Sequence, residues 1–513
     1  MKRWIPWFTL AVCFGIVAVH NVTLVKDWML DDAFISFRYA QHLAEGYGPV
    51  FNRAGDAVEG YTTFLWVVLL ALGRLVGIET VLCSKILGVL FGAGTLALLA
   101  HAHRFVPRVD ALVSSAATLF LATFGVFHPW LTSGMENALF GFLVLLALLL
   151  HFHSLRPETG RPLLAGLGVT SALMAMARPE GLLVFALILI DQGFESLCRR
   201  QWRLLYVGGA FLLLFAPYFT WRYLYYGYLL PNTFYNKVGA SWAQVLRGWR
   251  YTRRFAWPAA ALLMPSGLAL FIPPAWWKRY ARAYLLPLTL LLYTGYIIAV
   301  GGDVMAAFRF FAPLAAPLCL MAAMGAATLL RWPPLILAAS AIIIGFNGYH
   351  LLHHPDLYTR IKKGDAVQRN GTQVGRWLKE HAPPNAVLAT NTAGTIPYYS
   401  ELTTIDMLGL NDAHIAHRSI ATMGRGQVGH EKGDGKYVLS LKPDYIQFGS
   451  ASGRRKPKSF LGDREIYRDP VFKRDYVYRQ YRLPSGLLLH LYERKASKAK
   501  LKTGSPRTHR RKR

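Results

Sequence analysis

Eleven apolar stretches, each near the length of a membrane-crossing helix, succeed one another along residues 1–352 and leave the chain little choice of architecture. They run over roughly 4–25, 81–102, 111–130, 138–153, 163–177, 182–196, 204–222, 259–274, 284–300, 311–330 and 334–352. A spanning helix needs about 20 largely apolar residues, and in lipid the backbone must satisfy its own hydrogen bonds, so such stretches become helices. Only 17% of the residues are charged and 53% are hydrophobic, whereas soluble domains carry about 25% charged residues. The expected fold class is therefore a polytopic α-helical membrane protein. At the N-terminus, Lys2 and Arg3 precede an apolar run, Trp4–Leu24, without an Ala-x-Ala cleavage site, which reads as an uncleaved anchor.

Charge orients these spans. The net charge of +29 is carried by short clusters between apolar runs and by a basic tail, in which Lys495–Arg513 holds nine Lys and Arg and no acid. A nucleic-acid binder gathers its basic residues on one soluble face, so no nucleic-acid partner is expected. Thr62–Gly77 is the ambiguous apolar stretch. If it does not span, then Lys2/Arg3, Arg104/Arg108, Arg156/Arg161, Arg199/Arg200/Arg203, Lys278/Arg279/Arg282 and Arg331 all fall on one side, as the positive-inside rule requires of cytoplasmic loops. Residues 62–77 are accordingly expected to form an interfacial or re-entrant helix in the first outer loop, with eleven spans, an inside N-terminus and an outside C-terminus. The four cysteines, Cys13, Cys83, Cys198 and Cys319, show no paired or metal-ligand spacing.

From residue 353 the pattern changes. Gln373–His381, Ala386–Thr390, Thr403–Asp406, Asp444–Phe448 and Leu487–Leu491 alternate helix-like and strand-like periods with Gly, Pro and Asn between them. Residues 353–495 are expected to form an extracytoplasmic α/β domain, and 496–513 a basic disordered tail.

With the topology taken from basic loops alone, the polar clusters fall on the outer side. The first outer loop carries Asp31, Asp32 and Arg38, then Glu59 and Tyr61; later outer turns carry Glu136, then Arg178 and Glu180, then Asn232, Tyr235 and Lys237, then Asp303 and Arg309. Ionisable groups at the hydrocarbon boundary are costly and usually functional. Asp31 or Asp32 offers a carboxylate for general-base work on an acceptor hydroxyl or for stabilising an oxocarbenium-like sugar. Arg178, Arg222, Lys237, Arg309 and the set Arg247, Arg250, Arg253 and Arg254 lie where a lipid phosphate would sit, and Arg favours bidentate phosphate contacts. The Trp242–Trp257 stretch reads as an interfacial amphipathic helix. Each group also has a plainer reading: Asp-Asp as a helix cap, Glu136 and Glu180 as caps or as partners of Arg178, Asp303 as a turn, and the Arg-rich segment as a headgroup contact. Their shared side favours the functional reading.

Taken in order, Asp31-Asp32-Ala33-Phe34-Ile35-Ser36-Phe37-Arg38-Tyr39, Glu59-Gly60-Tyr61-Thr62-Thr63, Ser133-Gly134-Met135-Glu136, Arg178-Pro179-Glu180-Gly181, Pro231-Asn232-Thr233, Gly301-Gly302-Asp303 and Phe308-Arg309-Phe310 resemble the GT-C class of integral-membrane glycosyltransferases. Within that class the sequence is most similar to the terminal arabinofuranosyltransferase branch. The resemblance extends to Asp406-Met407-Leu408-Gly409-Leu410-Asn411-Asp412 and Gly429-His430-Glu431-Lys432, and so covers about residues 28–450. It implies a GT-C fold, a polyprenyl-phosphate sugar donor (D-arabinofuranose from decaprenyl-phosphate arabinose in the nearest branch), and transfer to an envelope glycan or glycoprotein on the periplasmic side of a bacterial inner membrane. It also implies that Asp31 or Asp32 is the key carboxylate, that Arg38, Arg178, Lys237 and Arg309 contact donor or phosphate, and that Glu59, Tyr61, Glu136, Glu180, Asn232, Tyr235, Asp303, His430, Glu431 and Lys432 contact substrate. His430-Glu431-Lys432 reads equally well as a solvated loop. Membrane lipids are expected partners. No cofactor is expected, since the lipid-linked sugar is a substrate, and no metal is assigned although Asp31, Asp32, Glu136 and Glu180 are able to converge. The stereochemical outcome is open. The competing function is a lipid-linked-sugar flippase, which needs charge along a path through the spans.

Overall fold

The computed structural model describes residues 4–239, 241–271, 280, 283–330 and 332–502. Helices occupy all eleven expected stretches. Among the described residues seven are long and apolar enough to cross a membrane: Ile5–Val25, Thr80–Ala100, Asn137–Ser154, Gly181–Arg199, Arg203–Tyr226, Ala306–Leu329 and Pro334–His353. The helices Ala111–Thr123, Arg161–Ala177, Ala260–Leu270 and Leu285–Val300 are apolar but shorter. The chain is a multi-pass membrane protein. Lys2, Arg3, Lys278, Arg279, Arg282 and Arg331, used above to orient the loops, lie outside the described residues.

Small side chains decide what sits in the middle. Ala306–Leu329, rich in Ala, has 89% of its apolar stretch buried in protein, against 11% for Arg203–Tyr226, which carries Leu and aromatic residues outward. Small residues let helix backbones close up where lipid supplies no hydrophobic drive between helices. The Phe64–Leu75 helix is 12 residues long, or ~18 Å at 1.5 Å per residue, against ~30 Å of hydrocarbon. That length is what a non-spanning helix in the first outer loop would have. Ahead of it, Ala33–Ala44 forms a second loop helix that is almost wholly buried.

The α/β domain packs on the loops at one end of the bundle, Asp31 and Arg38 of the loop after the first helix bonding residues 365–402. Its five-stranded sheet has the order β2 (Thr403–Asp406), β1 (Val387–Thr390), β3 (Tyr445–Gln447), β5 (Leu488–Arg494), β4 (Tyr476–Arg482). β1 runs parallel to β2 and β3, and β5 antiparallel to β3 and β4. Parallel neighbours need a crossover, which the Thr395–Ser400 helix supplies between β1 and β2. Helices of the domain start on acidic caps: Asp365 accepts from Val367 N, Asp412 from Ile415 N and Asp434 from Tyr437 N. The expected disordered tail begins too early at 496. Ser497 Oγ bonds Asp444, Ala499 O accepts from the Tyr445 hydroxyl, and Lys502 N bonds His381 O, so 496–502 belong to the domain; residues 503–513 lie outside the described residues.

Candidate active site

The site residues sort into two sets, one forming a polar floor and the other fastening the α/β domain over it. The floor is built on helix ends. Glu136 and Glu180 precede the helices Asn137–Ser154 and Gly181–Arg199, and Arg178 follows Arg161–Ala177. Arg178 bridges both carboxylates, reaching Glu180 Oε1 at 2.8 Å and bonding Glu136 through Nη1, with all three side chains buried. Its guanidinium lies over the Phe310 ring, 5.5 Å from the centroid. Arg309, 5.0 Å above the same ring, pairs with Asp303 at 2.8 Å. Gly301 (φ +90°) and Gly302 (φ +67°) end the Leu285–Val300 helix, and a Cβ on Gly302 would meet Tyr251 at 2.6 Å. Ala307 and Phe308 sit at φ 55° and 50°, strained conformations for residues with side chains. Trp130 Nε1 holds the turn through Ala307 O at 3.0 Å. Such strain, about 1–3 kcal/mol per residue, persists where the surroundings over-determine it, commonly at functional sites.

Asp32 and Lys237 complete the floor. Lys237 ends the short Asn232–Lys237 helix, and burial lowers its ammonium from the usual range, with Asp32 and Asp303 opposing and Arg309 and Arg178 reinforcing that shift. Among the described residues no side chain hydrogen-bonds the Asp32 carboxylate or the Lys237 ammonium. Asp32 and Lys237 are thus a carboxylate and a cation that act on one another electrostatically while neither is taken up by a side-chain hydrogen bond.

Asp31, the neighbour, is differently placed. Its carboxylate accepts from Gly394 N (3.2 Å), Thr395 N (2.9 Å) and Thr395 Oγ1 (2.5 Å), while its own N–H donates to Asp365 (3.1 Å). Gly394 must be glycine for this approach, since a Cβ there would lie 1.9 Å from Asp31 O. Arg38, expected at the phosphate, instead donates to Phe51 O, Asn52 Oδ1, Leu402 O and Pro397 O, and so is committed to holding the α/β domain. Arg222 forms a bidentate pair with Glu59 (3.0 and 2.6 Å). Tyr61 bonds Tyr226 at 3.1 Å. Asn232 Nδ2 donates to Gly409 O and Leu410 O, and Tyr235 stacks near His417, 4.3 Å between centroids. His430 bonds Val428 O, Glu431 pairs with Arg247, and Lys432 binds Tyr235 O at 3.0 Å. Asn232, Tyr235, Glu431 and Lys432 thus form the seam that joins the loops to the domain, whereas Glu59 and Tyr61 bond within the membrane part and His430 within the domain. The domain nonetheless reaches the floor, because Gly429 packs on the Lys237 stem.

The helix expected at Trp242–Trp257 runs over Trp242–Ala256. It exposes Trp242, Trp249 and Trp257 beside Arg250, Arg253 and Arg254, whereas Arg247 turns inward to Gly301 O. Exposed Trp and Arg on one face suit the headgroup level. The partners of Asp31 (Asp365, Gly394 and Thr395) were not singled out in the sequence; Asp365 carries the signal of an ordinary cap, which it also is. A second ionic cluster also escaped notice. His151, Asp191, Gln192 and Arg203 meet at the far end of the same helices, with His151 Nε2 3.0 Å from Asp191. Among the described residues no three His, Cys, Asp or Glu groups are arranged to hold a metal ion.

Burial, with the Asp365 and Asp32 charges adding, pushes the Asp31 carboxyl from 3.8 up to about 7 against the pull of the Thr395 bonds. A carboxyl raised in the folded state confers stability that is complete below the unfolded value and is lost as pH rises through the folded one. Amide exchange of residues 394–400, corrected for intrinsic rates, is therefore expected to be slower at pH 5.5 than at pH 8, and the difference to vanish in Asp31→Asn. Equal protection at both pH values in the wild type would refute this coupling.

Comparison with known proteins places this geometry. A family described as a domain of unknown function (DUF8728) matches residues 359–497. The chain is similar to a terminal beta-(1->2)-arabinofuranosyltransferase of Corynebacterium glutamicum, 28% identical over 60% of this chain and 50% of the relative. The chain thus spans about half the length of that relative. Among solved structures, ArnT from Cupriavidus metallidurans bound to undecaprenyl phosphate superposes with a TM-score of 0.58 at 12% identity, over 79% of this chain and 86% of that one. The fold is GT-C. The GT-C likeness extends to the oligosaccharyltransferase AglB from Archaeoglobus fulgidus, in complex with an inhibitory peptide and a dolichol-phosphate, with a TM-score of 0.51 at 10% identity over 95% of this chain and 74% of that one. In this GT-C chain the loop after the first helix, the floor and the α/β cover occupy one end of the bundle.

Proposed function

We propose that the protein is a membrane glycosyltransferase that moves a sugar, D-arabinofuranose in the favoured reading, from a polyprenyl phosphate to a glycan or glycoprotein of the cell envelope. The observation that carries this reading is the buried Lys237 ammonium, on which the Asp32 carboxylate, itself without a side-chain hydrogen bond among the described residues, acts together with Asp303, Arg309 and Arg178. Asp32 takes the proton of the acceptor hydroxyl as its oxygen attacks the anomeric carbon. The bond from that carbon to the phosphate oxygen breaks, the electron pair leaves with the phosphate, and Lys237 with Arg309 meets the charge that develops there. Arg178 holds Glu136 and Glu180 so that the floor keeps its shape. The exposed Trp and Arg face of Trp242–Ala256 seats the protein at headgroup level, where a lipid-linked donor presents its phosphate.

Support comes from three directions: the arabinofuranosyltransferase relative, the GT-C fold, and the gathering of free charge at one end of the bundle. A flippase would need that charge spread along a path. The basic loops support a cytoplasmic N-terminus and transfer on the opposite face, and the family resemblance makes that face the periplasmic side of a bacterial inner membrane. The test uses protein in nanodiscs, a panel of radiolabelled polyprenyl-phosphate sugars that includes decaprenyl-phosphate arabinofuranose, and an envelope acceptor fraction. Label is expected to pass from the arabinose donor to the acceptor. Transfer from none of the donors, with movement of labelled lipid across liposome bilayers, would replace the reading by a flippase.

A further inference from the structure

Beside the covered floor, the seam opens into a depression of about 440 Å³ lined by Tyr228, Ala413, His414, His417, Arg418 and Asp434. Its volume lies within the roughly 300–1,000 Å³ of small-ligand sites. Its walls are rings and charges. Tyr228 stacks on His417 at 4.7 Å between centroids, with 28° between planes, and His414 stacks on Tyr437 at 3.9 Å and 17°. Tyr228 is 43% exposed, and both histidines are exposed. At the rim, Asp434 meets His414 at 3.2 Å, and Arg418 is paired with Glu465. The largest aliphatic side chain in the lining is Ala413, so nothing there suits a polyprenyl tail. Ring faces match the C–H faces of sugars, while fixed carboxylate, imidazole and guanidinium groups match hydroxyls.

The depression is also built to hold its shape. Arg222 Nη1 bonds the Tyr228 and Leu229 carbonyls at 3.1 and 3.0 Å while its other nitrogens grip Glu59. His417 rests on Tyr235, and Lys237 follows two positions on, on the other side of the same short helix, so one helix carries contacts to the depression and to the floor.

We propose that this depression is an acceptor subsite, binding a sugar residue of the glycan set back from the hydroxyl that is modified. The proposal rests on the glycosyltransferase reading, so its test is read without turnover. An arabinofuranosyl tetrasaccharide serves as probe in saturation-transfer NMR with full-length protein in nanodiscs. The wild type is expected to give saturation of the probe. Tyr228→Ala and His417→Ala are expected to lose at least about two-thirds of it, and Tyr228→Phe, which keeps the ring, to retain it. Where transfer is measurable, Tyr228→Ala is expected to raise the acceptor KM about tenfold, with kcat and donor KM within twofold. No saturation in the wild type, equal saturation in all variants, or displacement of the probe by polyprenyl phosphate would overturn the subsite. Failure of the glycosyltransferase reading is a separate result: no label leaves any lipid donor, while the binding comparison stays readable.

Discussion

Asp32→Asn is expected to lower kcat for sugar transfer by about 10²–10⁴-fold, the range a positioned general base supplies, while donor binding stays within a few-fold. Asp31→Asn is expected to keep turnover within about tenfold, because an amide oxygen in place of Oδ1 still accepts both Thr395 bonds and only the 3.2 Å Gly394 bond to Oδ2 is lost. The two adjacent carboxylates separate on contacts alone. Asp31 receives three hydrogen bonds from the α/β domain, and among the described residues no side chain donates one to Asp32. The check is label transfer from polyprenyl-phosphate sugar at saturating acceptor, with equilibrium donor binding measured in parallel. A dead Asp31→Asn with an active Asp32→Asn would reverse the assignment.

Arg178→Ala is expected to be the most damaging single change to stability. It would leave Glu136 and Glu180 buried with no cation, and breaking a buried ion pair costs about 3–5 kcal/mol. Thermal unfolding of the detergent-purified protein should shift down markedly. Arg178→Lys should rescue little of this, since a point ammonium does not bridge two carboxylates as a planar fork does. The triple change Arg178→Met, Glu136→Gln, Glu180→Gln should recover much of the stability, because a network without charge leaves none unpaired, but not the transfer rate. Near-normal melting of Arg178→Ala would mean that the triad is solvated, and would remove it from the floor.

The helical part of this fold was legible because one signal, apolar length, dominates there. Each of the eleven stretches corresponds to a helix, and the separately expected amphipathic segment does too, at Trp242–Ala256. The site was legible as a set but not in its division. Sequence places Arg38, Arg178 and Arg309 alike beside aromatic or acidic motifs. Only tertiary contacts separate Arg309, over Phe310 and paired with Asp303, from Arg38, whose donors go to backbone carbonyls 13 to 364 residues away. The same holds for Asp31 and Asp32, where chain neighbours face different partners. The tail shows the opposite error: its composition reads as disordered, yet Ser497 and Ala499 find partners on Asp444 and Tyr445 that composition does not record. His151 and Asp191 were passed over because a lone acid near the end of a long apolar run reads as a span boundary.

The close contact between Gly394 and Asp31 has a consequence for how this protein diversifies. With 1.9 Å between Asp31 O and any Cβ at position 394, the cover and the first loop form a matched lock rather than two modules joined by a linker. Grafting the α/β domain of a relative with a different acceptor preference would succeed only if residues 31–38 and 394–402 travelled together. New specificity is reached more easily at the rim, around Tyr228 and His417, where a side chain can change without unseating the lock.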